Sequence, residues 1–162
     1  MHTHIFNDLE GIRIAIEMER RGRDFYGVVA KMAQNAPMKA LLEVLRAEEN
    51  AHMNQFRRLY DREQELLSGD EAYSAETSAY LTAVAADIVF SDGLVSVGVR
   101  GGFSEPQVIL AESIRSEQQS IDFYRALSET TRDAHAACVF REIIAQEQMH
   151  LERLRGQLSR YQ

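Results

Sequence analysis

Two short segments of the chain pair a carboxylate with an imidazole three residues apart. They are Glu49 and His52 in "AEENAHMNQF" (47–56), and Glu147 and His150 in "AQEQMHLERL" (145–154). On a helix this spacing puts both side chains on one face, one turn apart. A carboxylate and a neutral imidazole converging from one face are donors suited to a divalent transition metal. One Glu-x-x-His is common by chance and fits an ordinary polar surface. Two of them, 98 residues apart for both Glu and His, point to a repeat.

Sliding the chain against itself by 98 residues aligns 16–57 with 114–155 without a gap. Glu19 falls on Glu117, "DFY" (24–26) on "DFY" (122–124), Glu49 on Glu147 and His52 on His150. Ile16 with Ile114, Ala36 with Ala134, Ala47 with Ala145 and Arg57 with Arg155 also match, while most other positions differ. The pattern is that of a duplicated two-helix unit.

Helical periodicity supplies the elements that would carry these residues. A first helix is predicted from about Asp8 to Ala33, with Ile12, Ala15, Ile16, Glu19, Tyr26 and Val29 near one stripe. It stops at "QNAP", and a second helix runs from near Pro37 to about Leu67. A third opens at "SEPQ" (104–107), where Ser104 can cap, Gln107 can reach back and Pro106 needs no N–H partner. A fourth follows "TTRD", from about Ala134 to Leu158. Between the second and third lies one shorter helix, about Ala75 to Phe90, and the glycine-rich "SDGLVSVGVRGG". So long a connection is expected if the second and third helices run parallel, because the chain must travel back along the bundle. The expected fold is all-α: a four-helix bundle of two antiparallel hairpins (about 8–68 and 104–160) joined by a crossover (about 69–103), one domain over 1–162.

Spacing then sets the geometry. Glu19 and Tyr26 are two turns apart and stack on one face, as do Glu117 and Tyr124. From Glu19 to Glu49 is 30 residues with the midpoint at Gln34; from Glu117 to Glu147 is again 30, with the midpoint at Arg132. Both midpoints fall in predicted turns, so each hairpin brings its two Glu residues to one height. Packing the hairpins together gathers four carboxylates and two imidazoles at one level. Two divalent cations cancel the four negative charges, and each His adds a ligand. Oxygen-rich ligation with one His per metal suits iron first, then manganese, with zinc a substitute. Tyr26 and Tyr124 are placed to hydrogen-bond across to a ligating carboxylate, or else serve as core aromatics with a satisfied hydroxyl.

The remaining composition narrows the function. A net charge of −7 argues against a nucleic-acid surface. The single cysteine, Cys138, excludes an intrachain disulfide and a Cys-x-x-Cys knuckle, and fits a reduced, cytoplasmic setting. No secretory leader is expected from "MHTHIFNDLE", and the most apolar run, 83–99, carries Asp87 and Asp92 and is too short for a bilayer. His2, His4 and His135 are read as surface residues, and Cys138 as a small buried residue. Met18, Met32, Met38, Met53 and Met149 are read as core fillers, and Glu48 and Glu112 as solvent-facing, with service as an entry carboxylate the alternative for either.

"EMERRGRDFY" with "EENAH", and "SEQQSIDFY" with "QEQMH", resemble the rubrerythrin branch of the ferritin-like di-iron carboxylate family over almost the whole chain. The resemblance implies a ferritin-like bundle with two iron ions per chain on Glu19, Glu49, His52, Glu117, Glu147 and His150. It also implies redox chemistry with peroxide or dioxygen. Two departures stand out. The 162 residues contain no rubredoxin-type pair of Cys-x-x-Cys motifs, and Ser120 occupies the position where full rubrerythrins carry an extra carboxylate. Electrons would then come from an external donor such as a rubredoxin-type protein. A peroxidase-like or ferroxidase-like enzyme, a non-turnover iron-handling protein and a metal-stabilised structural bundle all stay open. A homodimer joined through 75–103 is the expected assembly.

Overall fold

The structure, a computed structural model, describes residues 7–66, 75–90, 97–99 and 105–162. Helix α1 spans Asp8–Met32, α2 Ala36–Leu66, α3 Ala75–Ile88, α4 Pro106–Thr130 and α5 Ala134–Leu158, closed by a 3-10 turn at Ser159–Tyr161. No strand occurs among the described residues. The long helices lie within two residues of their expected limits, because strong local signals set their ends. Asn7 and Glu10 form a capping box at the start of α1. Asn35 Oδ1 accepts from the Met38 N–H at 2.7 Å, so the residue read as a breaker also caps α2. Asp133 caps α5 through the Ala136 N–H at 2.7 Å.

The cap of α4 differs from expectation. Ser104 lies outside the described residues, and the cap position is held by Glu105, whose side chain makes no capping hydrogen bond. Pro106 does sit in the first turn, where a missing N–H removes no bond.

α1 packs along α2 and α4 along α5, and the two hairpins meet through α2 against α5 and α1 against α4. Contacts at the bundle ends fix the directions. Asn35, before α2, donates to the Tyr161 hydroxyl at 2.6 Å, beyond the end of α5. Arg62, near the end of α2, reaches Asp133 at 3.2 Å, at the start of α5. The Thr131 hydroxyl, just past α4, donates to Asp8 at 2.9 Å, in the first turn of α1. α2 is therefore antiparallel to α5, α1 is antiparallel to α4, and α2 and α4 run parallel, as the long crossover requires.

The crossover helix α3 lies chiefly against α1. It ends two residues before the predicted Phe90, because Phe90 takes a left-handed φ of 45°. Its N–H goes to Ser116 Oγ at 3.1 Å, and Arg21 donates to the carbonyls of Val89 (3.1 Å) and Phe90 (2.7 Å). These tertiary bonds offset the strain and stack Phe90 on Phe25, centroids 4.3 Å apart. Most of the glycine-rich stretch beyond lies outside the described residues, as do His2 and His4.

The core holds the predicted α1 stripe, with Ile12, Ala15, Tyr26 and Val29 fully buried. Met18, Met38 and Met53 are buried with it, but Met32 and Met149 are about half exposed. Helical phase explains the difference: Met32 ends its helix, and Met149 precedes the inward His150 by one residue, about 100° around the helix. Cys138, expected to be buried, is exposed. Glu112, expected to face solvent, is 1 % exposed and paired with Arg115, an arrangement that a long guanidinium one turn away makes possible. His135 is exposed as read.

Candidate metal centre

Each long helix delivers ligand-type residues to the middle of the bundle. Glu19 comes from α1, Glu49 and His52 from α2, Glu117 from α4, and Glu147 and His150 from α5. All six are buried. They fall into two groups whose donor atoms lie within 4.8 Å of one another: Glu19, Glu49, His52 and Glu147, and Glu49, Glu117, Glu147 and His150. Glu49 and Glu147 belong to both. The arrangement is two donor groups that could each hold a metal ion, sharing two carboxylates and each completed by one further Glu and one His. The imidazoles face each other nearly parallel, 5.4 Å between centroids.

Both rings aim Nδ1 at the centre. His52 Nδ1 lies 2.8 Å from Glu147 Oε1 and 3.4 Å from Glu19 Oε2. His150 Nδ1 lies 2.7 Å from Glu147 Oε2 and 3.2 Å from Glu49 Oε1. By distance these are ion pairs, yet the rings are not oriented to direct an N–H at the oxygens, so hydrogen-bond geometry fails. Among the described residues, the buried side-chain N and O atoms without a hydrogen-bond partner are Glu19 Oε2, Glu49 Oε1, His52 Nδ1, both Glu147 oxygens and His150 Nδ1. Orphaned buried polar atoms are costly, and here every one belongs to the same central cluster. Two oxygen-seeking cations with one imidazole each would satisfy them, so the residues fit the group implied by the sequence.

The electrostatics carry the same message. Two carboxylate charges 4.8 Å apart repel by about 3.5 kcal/mol at an effective dielectric of 20. Burial, and then the charges of Glu19, Glu147 and Glu117, hold the Glu49 carboxyl well above its usual range. Burial with Glu19 and Glu117 lifts Glu147 from 4.5 to about 7. Burial alone would lower both imidazoles. The carboxylates outweigh it, pushing His52 up to about 12 and His150 up as well. Glu117 moves the other way: His150 and the Tyr26 hydroxyl overcome its burial and lower it. In the metal-free protein, protons do the neutralising.

The tyrosines cross between hairpins. Tyr26 of α1 donates to Glu117 Oε1, and Tyr124 of α4 donates to Glu19 Oε1 at 2.5 Å. Each hydroxyl ties down one carboxylate oxygen and leaves the other facing the centre. Burial and those carboxylates raise both phenols well above their usual range, so both stay protonated donors. Phe56 packs on Tyr124 and on Phe140, while Phe90 sets its edge against Tyr26.

Three contributors escaped sequence reasoning. Glu48, read as solvent-facing, is only partly exposed, and its Oε2 lies 2.9 Å from His150 Nε2. Gln146 Oε1 lies 2.9 Å from His52 Nε2. The signal was present: the 98-residue offset pairs Glu48 with Gln146, each just before a ligand-type Glu. Gly22, one turn after Glu19, is the third. A Cβ there would stand 2.6 Å from Glu49 Oε2, so the glycine is the seat of a shared carboxylate. Its repeat partner is Ser120, which is half-buried.

Comparison with known families matches residues 108–162, about a third of the chain, to the family model Rubrerythrin. Searches of curated proteins and of solved structures return no significant match. The matched stretch covers α4, α5 and the closing turn, so the second hairpin is rubrerythrin-like, and the all-helical bundle agrees with the ferritin-like resemblance. No described helix is long and apolar enough to cross a membrane.

Proposed function

We propose that this chain, rubrerythrin-like in its second hairpin and repeating the pattern in its first, is a di-iron carboxylate redox protein. It reduces peroxide or dioxygen with electrons from an external donor, such as a rubredoxin-type protein. The observation that carries this reading is the set of orphaned buried donors converging on two shared positions. Two redox-active ions held there supply an electron pair and Lewis acidity. The protein's part is positioning. Glu49 and Glu147 are common to both groups and suit bridging; Glu19 with His52, and Glu117 with His150, complete each side. Tyr26 and Tyr124 orient Glu117 and Glu19 and hold their protons in place, and Phe56 and Phe140 pack against the Tyr124 ring.

Ser120 favours a second reading. Without a further carboxylate one turn past Glu117, the centre has fewer ligands to exchange during rapid turnover. Uptake and slow oxidation of Fe(II), without catalytic peroxide reduction, then becomes the function.

An anaerobic Fe(II) titration of metal-free protein tests the shared premise. Two equivalents per chain are expected, with binding lost in Glu49→Ala and Glu147→Ala. Peroxide with an excess of reductant then separates the readings: repeated turnover supports the reductase, and a single oxidation followed by iron release to a chelator supports iron handling. A raised melting temperature with neither activity would leave the metal a structural role.

A further inference from the structure

We propose that Glu48 makes the two metal positions unequal, so that the Glu117/His150 position binds a divalent ion more tightly and fills first. The inference rests on the dimetal reading above and concerns how its two halves differ.

The repeat makes the halves nearly identical in donor type. Each position has one terminal Glu, one His through Nδ1, and the shared Glu49 and Glu147. Each terminal Glu is held by a tyrosine from the other hairpin. The rings differ at their far nitrogens. His150 Nε2 meets the carboxylate of Glu48 at 2.9 Å, whereas His52 Nε2 meets the amide oxygen of Gln146 at the same distance. With Nδ1 committed to a metal, Nε2 carries the hydrogen in both rings; it is hydrogen-bonded to Gln146 on the His52 side and lies against the Glu48 carboxylate on the His150 side. A carboxylate charge 2.9 Å from that nitrogen favours positive charge on the ring, pushes electron density toward Nδ1 and strengthens it as a ligand. A neutral amide orients the ring without that effect.

Arg153 donates to the same Glu48 oxygen at 2.7 Å, and the repeat places Gln55 at its counterpart, so this prop also belongs to one half only. The guanidinium fixes the carboxylate and withdraws part of its charge. The expected preference is therefore about tenfold, the lower end of the range for such outer partners of a metal-bound His.

The test titrates Zn(II), a redox-silent probe, into metal-free protein while the histidine ring resonances are followed by nitrogen–proton correlation NMR. At one equivalent the His150 ring should show the bound signature and His52 the free one; at two equivalents both should be bound. Glu48→Gln should shrink the preference to about twofold or less. Gln146→Glu should independently strengthen the His52 position and close the gap from the other side. Both substitutions sit on partly exposed or exposed positions, so the bundle tolerates them. Two equivalents with both rings filling in step, or an unchanged order in both variants, overturns the inference while leaving the dimetal centre intact. No Zn(II) binding overturns both.

Discussion

Loading the centre with two redox-silent divalent ions should expel protons, and the structure sets how many. At pH 7 the metal-free protein holds protons on His52, pushed up to about 12, and on His150, also raised. Glu147, at about 7, holds roughly half of one. Metal-bound imidazoles must present a bare Nδ1 and bridging carboxylates must be ionised. The total release is therefore at least about two to three protons per chain at pH 7, and the upward shift of Glu49 acts in the same direction. By linkage, the overall constant for binding both ions should rise by at least about two to three decades per pH unit around neutrality. The sign follows from protons competing with metal for the same atoms. Mn(II) or Zn(II) binding measured calorimetrically in buffers of different ionisation enthalpy gives the count directly. Fewer than one proton released, with affinity flat between pH 6 and 8, would refute the reasoning. The imidazoles would then be neutral without metal, and the carboxylates would not be exerting the pressure assigned to them.

Stability of the metal-free protein should fall as pH rises. Glu147 binds its proton more tightly folded than unfolded, so its contribution is full below 4.5 and is lost by about 7, on the order of 3 kcal/mol. Glu49 shifts in the same direction, and a thermal melt between pH 5 and 8 should show a decline that saturating metal abolishes. Tyr26→Phe removes the donor to Glu117 Oε1 and leaves a buried carboxylate oxygen unsatisfied, for a loss of about 1–3 kcal/mol by chemical denaturation. Tyr124→Phe should do the same to Glu19, and equal stability in either variant would discount that bond. Gly22→Ala should leave the metal-free fold intact or firmer by up to about 1 kcal/mol, since alanine favours the helix and the atom it meets is a movable side-chain end. The same substitution should weaken metal binding, because that atom is an oxygen of Glu49; undiminished affinity would count against Glu49 as a bridge.

The sequence by itself determined the helices, the duplication and the ligand-type residues. Each of these is local or periodic: the caps at Asn35 and Asp133, the seven-residue step from Glu19 to Tyr26, the three-residue step from Glu49 to His52, and the 98-residue offset. Equal spans of 15 residues on either side of each turn, 30 from Glu19 to Glu49 and 30 from Glu117 to Glu147, were enough to put the carboxylates level.

Only the tertiary structure decided how the halves interlock. It places Glu49 and Glu147 in both donor groups, sends each tyrosine to the opposite hairpin's Glu, and sets Glu48 and Gln146 behind the imidazoles. It also buries Glu112, exposes Cys138 and Met149, and stops α3 at Ile88, where the Phe90 N–H donates to Ser116 and Arg21 donates to the Phe90 carbonyl. The physical reason is the range of the forces involved. Helix caps and periodic burial act over a few neighbouring residues and leave their mark on the chain. The rotation of one hairpin against the other is fixed by packing between segments about a hundred residues apart, and that rotation chooses which oxygen each hydroxyl meets.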